Sequence, residues 1–570
     1  MSQKISGAEA LIKALLAEGV DTVFGYPGGA ILPVYDSLYD YTDRITHILT
    51  RHEQGAIHAA QGYARVSGRT GVVIVTSGPG AANVITGLSD AMMDSTPVVV
   101  ISGQVGARYL GSDAFQETDV VAITQPITKW AVQVRRAEDI AGAVARAFYI
   151  ASTGRPGPVV IDIAKDAQIG LTEESYRTVD YIRSYNPRPD VDETLIAEAA
   201  RIIDGAERPL MLIGQGVTIS GAEDAVTAFA EKTGIPVGAT LLGLSAMPSD
   251  HPLYKGMLGM HGNIGVNYNT NRADVIVAVG MRFDDRVTGN TDLYAPDAKI
   301  IHIDIDPSEF DKTVRSTVAI NCDARVAVEK LLAAVSAADH KDWCDSFDTC
   351  NAVESADVIA RELNPGTPKM TMGEVVSRVS AAVPDNAVAV TDVGQNQMMS
   401  ARYFRFRHRR AMITSGGLGT MGFGLPAAIG AKIGAPDRTV CLFCGDGGFQ
   451  MTIQELGTIM QYGIAVKIVI LNNNFLGNVR QWQNLFFNRR FSQTPMLNPD
   501  FKAIAAAYGI AARDVDDRSE LDGAIAEMLA HDGCYILNVN IDETDMVFPM
   551  TPVGKAVDYI MLSPDKVFTL

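Results

Sequence analysis

Val440-Cys441-Leu442-Phe443-Cys444-Gly445-Asp446-Gly447 and Val466-Lys467-Ile468-Val469-Ile470-Leu471-Asn472-Asn473 are the two stretches that decide how this chain is read. Each opens as a short apolar run, the pattern of a strand buried on both faces, and each ends in turn-forming residues. Between them, Thr452 to Tyr462 carries apolar residues at helical spacing, with Gly463 as its stop. Strand, helix, strand predicts neighbouring parallel strands with Asp446 and Asn473 at their carboxyl ends, where open α/β sheets bind ligands. Oxygen donors of this kind suit a hard divalent cation, and the glycines let backbone N–H groups approach phosphate oxygens. Gly-Asp-Gly and Asn-Asn are each common as plain turns. Their occurrence together, with matching flanks, favours a clamp for Mg²⁺ and a diphosphate.

The 570 residues exceed a single core and suggest three or four domains. Hydrophobic residues make up 47% and charged residues 20%, a globular composition. The 66 acidic residues outweigh 48 Lys plus Arg, a net −18 without a basic block, so no nucleic-acid partner is expected. Ser6-Gly7-Ala8-Glu9 has a capping-box pattern opening an amphipathic helix to Gly19, unlike a secretory leader. No apolar stretch reaches the roughly 18 residues of a membrane span, so a cytoplasmic protein is expected. Six cysteines do not suggest a disulfide framework, and Cys441 and Cys444 read as core packing.

The expected fold is α/β, with three sequential domains built on parallel, doubly wound sheets. Thr22 to Phe24, Gly71 to Thr76, Pro97 to Ser102 and Pro158 to Ile163 are short apolar runs between helical stretches, placing a first domain at 1–170. A polar stretch from about 170 to 190 reads as a linker. Pro209 to Ile213, Asp274 to Val279 and Ile300 to Ile305 mark a second domain at 190–345, followed by a break near Ala352 to Thr371. Ala387 to Thr391, Thr439 to Phe443, Lys467 to Leu471 and Tyr535 to Val539 mark a third at 370–570.

Several motifs then carry a resemblance: Gly25-Tyr26-Pro27-Gly28-Gly29-Ala30, Arg51-His52-Glu53-Gln54-Gly55-Ala56, Thr76-Ser77-Gly78-Pro79-Gly80, Met93-Asp94-Ser95-Thr96-Pro97, Phe115-Gln116-Glu117-Thr118-Asp119, Gly154-Arg155-Pro156-Gly157-Pro158 and Arg282-Phe283-Asp284-Asp285-Arg286-Val287-Thr288-Gly289. With them the chain resembles, nearly end to end, the catalytic subunits of acetohydroxyacid synthases (acetolactate synthases), within the thiamin-diphosphate-dependent enzymes. The resemblance implies pyrimidine-binding, central FAD-binding and diphosphate-binding domains in that order. It also implies an obligate homo-oligomer, because the first domain of one subunit faces the third domain of another, and it leaves room for a regulatory small subunit.

The resemblance further implies roles. Glu53 becomes the carboxylate that shares a proton with the aminopyrimidine ring, and its small or apolar neighbours Gly55, Ala56 and Ile57 suit a desolvated carboxyl. Without that context Glu53 would read as a solvated acid at a helix start. Gly28 maps near the reacting centre and Gln116, Phe115 and Lys165 to its entrance, with Gly28, Gln116 and Lys165 expected to serve catalysis and Phe115 the substrate. Thiamin diphosphate would touch Glu53, Pro79, Asn83, Gly394, Gln395, Asn396, Gly419, Met421, Gly445, Asp446, Gly447, Gly448 and Asn473. The metal ligands would be Asp446, Asn473 and the carbonyl of Phe475. FAD would lie along Arg155, Gly214, Gln215, Gly216, Thr240, Leu241, Gly259, Met260, His261, Gly280, Arg282, Asp284, Arg286, Asp306 and Asp323. Gly214-Gln215-Gly216 alone is a weak signal, since Ile219 stands where a dinucleotide fingerprint has its third glycine.

The implied reaction is decarboxylation of pyruvate and transfer of its two-carbon unit to a second 2-keto acid, giving 2-acetolactate or 2-aceto-2-hydroxybutyrate for branched-chain amino acids. Arg286 would grip the acceptor's carboxylate, a task suited to a guanidinium fork, and Trp482 would shape the pocket. A surface ion pair with Asp284 or Asp285 is the plainer use of Arg286. Asn396 stands where these synthases usually carry His and Asn478 where they usually carry Met, and the tail Phe548 to Lys555 departs as well. The polar Asn478 suits a second reading, a flavin-containing carboligase acting on a ketone such as a nucleotide-linked keto sugar. A non-catalytic scaffold is opposed by the intact Glu53, Asp446 and Asn473.

Overall fold

The computed structural model describes residues 4–570. Its core is three six-stranded sheets, each parallel throughout; the first and third share one strand order and the middle one has another. In spatial order the first runs Thr46–Leu49, Thr22–Gly25, Gly71–Val75, Val98–Gln104, Pro158–Ala164 and Trp130–Val134. The middle sheet runs Tyr254–Met257, Val237–Ala239, Pro209–Ile213, Val275–Val279, Lys299–Asp304 and Val318–Asn321. The third runs Met412–Ile413, Val388–Thr391, Val440–Gly445, Val466–Asn472, Tyr535–Asn540 and Ala511–Val515. Central strands such as Val98–Gln104 and Val466–Asn472 are buried along their whole length, which is why they read as mainly apolar runs without alternation.

In the first and third sheets the first strand in sequence is flanked by the second on one side and the third on the other, and in the middle sheet it is flanked by the second and the fourth. That reversal opens a crevice at the carboxyl ends of the strands. The crevices fall between Gly25 and Val75, between Ile213 and Val279, and between Thr391 and Gly445. All three are bordered by glycine-rich turns singled out from sequence, at Gly28 and Gly78, at Gly214 and Gly280, and at Gly394 and Gly447.

The first and third domains meet backbone to backbone. Helix Glu53–Ser67 lies on helix Gly424–Gly434, so that a Cβ at Gly62 would come within 2.0 Å of the Ala427 carbonyl oxygen and one at Gly430 within 1.8 Å of that of Ala59. Only glycine permits so close a crossing.

Four expectations are corrected. The helix from Thr452 to Tyr462 is interrupted, because Thr452 has non-helical backbone (φ −133°, ψ 22°) between helix Asp446–Met451 and a single 3₁₀ turn, and the α-helix proper is Leu456–Tyr462. The break near 352–371 is mostly helical: Lys341–Glu354 continues through a wide turn, Ser355–Ile359, into Ala360–Leu363. The stretch after 170 begins with Leu171–Glu173, paired antiparallel with Lys4–Ser6. The capping box is half made, since Ser6 accepts from the Glu9 N–H while the Glu9 carboxylate takes the Tyr41 hydroxyl and Lys13. No described helix is long and apolar enough to cross a membrane, and all six cysteines are free and buried.

Candidate active site

Asp446 is the first residue of helix Asp446–Met451, held at the mouth of the third crevice by Val440–Gly445. It is 1% exposed and forms no ion pair among the described residues, and burial pushes its carboxyl above the ordinary aspartate range. A carboxylate desolvated without a counter-charge is costly unless a cation joins it. Asn473 follows the neighbouring strand; its Oδ1 accepts from the Phe475 N–H at 3.1 Å, and its Nδ2 faces Gln395 Oε1 at 3.4 Å. Gln395 is fixed in turn, donating at 3.0 Å to both Gln481 Oε1 and the Asp545 carbonyl.

Sequence reasoning missed Asn498. Its Nδ2 lies 2.6 Å from Asp446 Oδ2, 2.9 Å from Asn472 Oδ1 and 3.1 Å from Asn474 Oδ1, so one amide orients the whole rim. Met496 reaches back to the Asn474 carbonyl and Leu476 to that of Thr494, and these two bonds deliver Asn498 there. Nothing in the local sequence around Asn498 signals this placement.

Three glycines leave the crevice open for a ligand's approach. Gly394 (φ +122°) and Gly419 (φ +71°) take conformations that disfavour other residues, and a Cβ at Gly394, Gly419 or Gly445 would meet nothing nearer than 3.5 Å. Asn396 stands beside Gly394 and Gly445. Gly448 is different, since a Cβ there would meet Asp392 Oδ1 at 2.3 Å. Asp392 takes the N–H groups of Val393, Gly422 and Gly424, fixing the loop with Met421, which packs beside Gly447.

A second cluster forms at the mouth of the first crevice. Glu53 opens helix Glu53–Ser67 and is 8% exposed; Asn83 Nδ2 donates to its Oε2 at 2.9 Å, and Gly80, next to Pro79, leaves space against its Oε1. Gly28 packs on Thr76, Lys165 points its ammonium towards the Gly29 carbonyl, and Gln116 takes a left-handed backbone (φ +59°) against Gly78. Phe115 beside it is 88% exposed. No hydrogen bond or ion pair among the described residues joins Glu53 to Asp446 within this chain.

The third feature is a cavity of about 570 Å³ running from the middle crevice to the third domain. Arg155, Gln215, Gly216, Thr240, Leu241, Met260, His261, Gly280, Arg282, Asp284, Arg286 and Asp323 line it, as do Gly394, Gly419, Asn478 and Trp482. Gly214 and Gly259 stand behind its wall, where a Cβ would strike the Gly280 and Arg286 carbonyl oxygens. Asp306 also lies off the wall, paired with Arg155 at 3.2 Å. Asp304, missed from sequence, ends its strand on the cavity, and burial raises its carboxyl to about 7. Burial lowers His261 to about 3, so its ring is neutral, and its Nδ1 has no partner. Asn478 and Trp482 lie one turn apart on helix Gly477–Phe486 and share a face. Arg286 is paired with Asp285 at 3.2 Å in an exposed contact, the plainer of its two expected uses.

Comparison with known proteins decides what these three features have in common. Residues 5–123, 196–331 and 392–539 match the N-terminal TPP binding, central and C-terminal TPP binding domain models of the thiamine pyrophosphate enzymes. The chain is 45% identical to a probable acetolactate synthase large subunit of Methanocaldococcus jannaschii, over 96% of this chain and 94% of that one. It is 43% identical to the acetolactate synthase isozyme 2 large subunit of Escherichia coli (96% and 98% covered) and 42% to the large subunit of Lactococcus lactis (97% and 96%). The chain belongs to the acetolactate synthase large-subunit family. The Asp446 rim thus falls inside the C-terminal TPP binding match and Glu53 inside the N-terminal one, while the cavity joins the central match to the C-terminal one.

Proposed function

We propose that this chain decarboxylates pyruvate on thiamin diphosphate and joins the two-carbon unit to a second 2-keto acid, forming 2-acetolactate or 2-aceto-2-hydroxybutyrate. Near-complete coverage at 42–45% identity by relatives of that name carries the reading. The cofactor, once bound, stabilises the carbanion left by loss of carbon dioxide.

The residues fit that cofactor. Asp446, the Asn473 amide oxygen and the Phe475 carbonyl would hold Mg²⁺, an oxygen set suited to a hard cation, and the buried unpaired carboxylate of Asp446 supports it. Gly394, Gln395, Asn396, Gly445 and Gly447 would cradle the diphosphate, while Gly419 and Met421 support the rings. Glu53 would hold and return a proton at a pyrimidine nitrogen, with Asn83 fixing its Oε2. Glu53 and the Asp446 rim open helices of different domains and share no bonding partner within one chain, and we infer that two chains pair with the first domain of each facing the third of the other. Gly28, Gln116, Lys165 and Phe115 then border the reacting centre, and Pro79 approaches the pyrimidine.

The middle cavity suits FAD: Arg155 and Arg282 offer phosphate partners, Asp304 a carboxyl for a ribose hydroxyl, and His261 an unpartnered ring nitrogen. Arg286 would leave Asp285 for the acceptor's carboxylate, with Trp482 shaping the space beside it. The relatives are named large subunits, which supports a small regulatory partner for this chain as well.

Supplying pyruvate with 2-oxobutyrate, or with cyclic and sugar ketones, tests the acceptor. We expect keto-acid products to dominate, and exclusive use of ketones would overturn the reading. For Asn498→Ala we expect Mg²⁺ and thiamin diphosphate to bind about 10–100-fold more weakly, the usual effect of removing a group that orients a metal ligand. An unchanged Mg²⁺ requirement in the activity titration would remove Asn498 from this role.

A further inference from the structure

The loop Ser415-Gly416-Gly417-Leu418-Gly419-Thr420-Met421 belongs to the third domain, yet what fixes its position belongs largely to the first. Asp94 follows helix Ile85–Met93 and is 1% exposed. Its Oδ2 accepts from the Gly416 N–H at 2.8 Å and its Oδ1 from the Gly417 N–H at 2.7 Å. One turn earlier, Asp90 Oδ1 accepts the Ser415 hydroxyl, with the Thr420 hydroxyl 3.4 Å away. Ser415 Oγ accepts the Thr420 N–H at 2.8 Å, closing the loop on itself.

Arg65, also from the first domain, completes the clamp. Its guanidinium pairs with Asp94 Oδ2 at 2.8 Å, donates to Thr96 Oγ1 at 3.1 Å and reaches the Thr414 carbonyl just before the loop. Both members of the pair are buried, so the contact is shielded from solvent. The start of the loop is also closely packed. A Cβ at Gly417 would lie 2.4 Å from Met93 Cγ and 2.7 Å from an Arg282 nitrogen, and one at Gly416 would lie 2.7 Å from Leu242. The loop is thus gripped by two buried carboxylates and packed at its start against two other domains, while Leu418 and Gly419 face the cavity.

We propose that Asp94, backed by Asp90 and Arg65, is a positioning residue for the thiamin site: the first domain of each chain sets the height of that chain's own Ser415–Met421 loop, and so of the support beneath the cofactor's rings. This rests on the reading that Gly419 and Met421 face those rings. The diphosphate end rests on other groups, because Gly394, Gly445, Asp446 and Asn473 hang on the third sheet and on Asn498, with no bond to Asp90 or Asp94; Asp392 and Gln397, which donates to the Ser415 carbonyl at 2.9 Å, are the third-domain groups that tie it to the loop. The two ends of the cofactor can therefore be told apart by experiment.

The experiment is calorimetric titration of the full-length protein, with Mg²⁺, by inorganic diphosphate and separately by thiamin diphosphate. In Asp94→Asn one loop N–H meets an amide N–H₂ and Arg65 loses its counter-ion. Loss of such a charge-assisted bond predicts about tenfold weaker binding of thiamin diphosphate. Affinity for inorganic diphosphate should stay within about twofold of the wild type, since nothing in its cradle has moved. Equal weakening of both ligands, or of neither, overturns the proposal. If Asp94→Asn does not fold, Ser415→Ala, which removes the Asp90 bond and leaves the Arg65 pair whole, decides by the same comparison. Failure of the wild type to bind thiamin diphosphate would instead overturn the reading of the site itself.

Discussion

Glu53→Gln should lower kcat by about 10²–10⁴-fold, the range for losing a positioned acid-base group, while Mg²⁺-dependent affinity for thiamin diphosphate is retained. The amide keeps the shape and burial of the carboxyl but cannot accept and return a proton. Its surroundings sharpen the effect. Asn83 donates to Oε2, so that oxygen is already engaged and the proton must be handled at Oε1, the side left open by Gly80. Steady-state rates with saturating pyruvate, set beside a calorimetric titration of the cofactor, separate the two outcomes. Wild-type turnover in the variant would remove Glu53 from the chemistry. Weakened cofactor binding with normal turnover per bound cofactor would give it a holding role alone.

Glu53 also shows what a sequence can and cannot disclose. A lone acid at a helix start looks solvated, and only the surrounding family-like motif pointed to burial. The sheets were legible because their central strands are apolar on both faces, as in Val98–Gln104. Edge strands escaped for the opposite reason: Trp130–Val134 and Ala511–Val515 are only partly buried, so their side chains are under weaker apolar constraint. The glycine turns were legible as well, because a crevice that a backbone must enter leaves its mark in residue type. Asn498, Asp90 and Asp94 were not, because each acts through a contact made by tertiary folding alone. Asp94 was quoted within a motif, but no local pattern says that its carboxylate holds a loop in another domain.

The three crevices all open where the strand order reverses yet receive different parts of the job, and the difference lies in what borders each. The first presents a buried carboxylate with an amide partner, the middle one two guanidinium groups and a strand-end carboxyl, and the third an uncompensated carboxylate among amide oxygens. Fold alone would not rank them. Charge and donor type do: neither Glu53 nor Asp446 has an ion-pair partner among the described residues, but only Asp446 stands beside further oxygen donors, Asn473 Oδ1 among them, and is pushed up by burial, so the third crevice is where a metal ion changes the energetics most.

Asp446→Ala follows from that imbalance, and its two effects have opposite signs. Cofactor retention should collapse, by more than the roughly 10–100-fold typical of residues that merely orient a metal ligand, because a ligand oxygen itself is removed. The cofactor-free protein should be at least as stable as the wild type. In the wild type a desolvated carboxyl has backbone N–H groups and Asn498 about it but no cation, whereas in the variant Asn498 still has Asn472 and Asn474 as acceptors. Thermal unfolding without Mg²⁺ should therefore give an equal or higher Tm for Asp446→Ala, and adding Mg²⁺ with thiamin diphosphate should raise the Tm of the wild type only, since ligands that bind the native state alone stabilise by mass action. An equal rise in both proteins would show that the cation sits elsewhere. A large drop in the cofactor-free Tm would show instead that Asp446 is a structural cap on helix Asp446–Met451, and the metal assignment would then lose its main physical support.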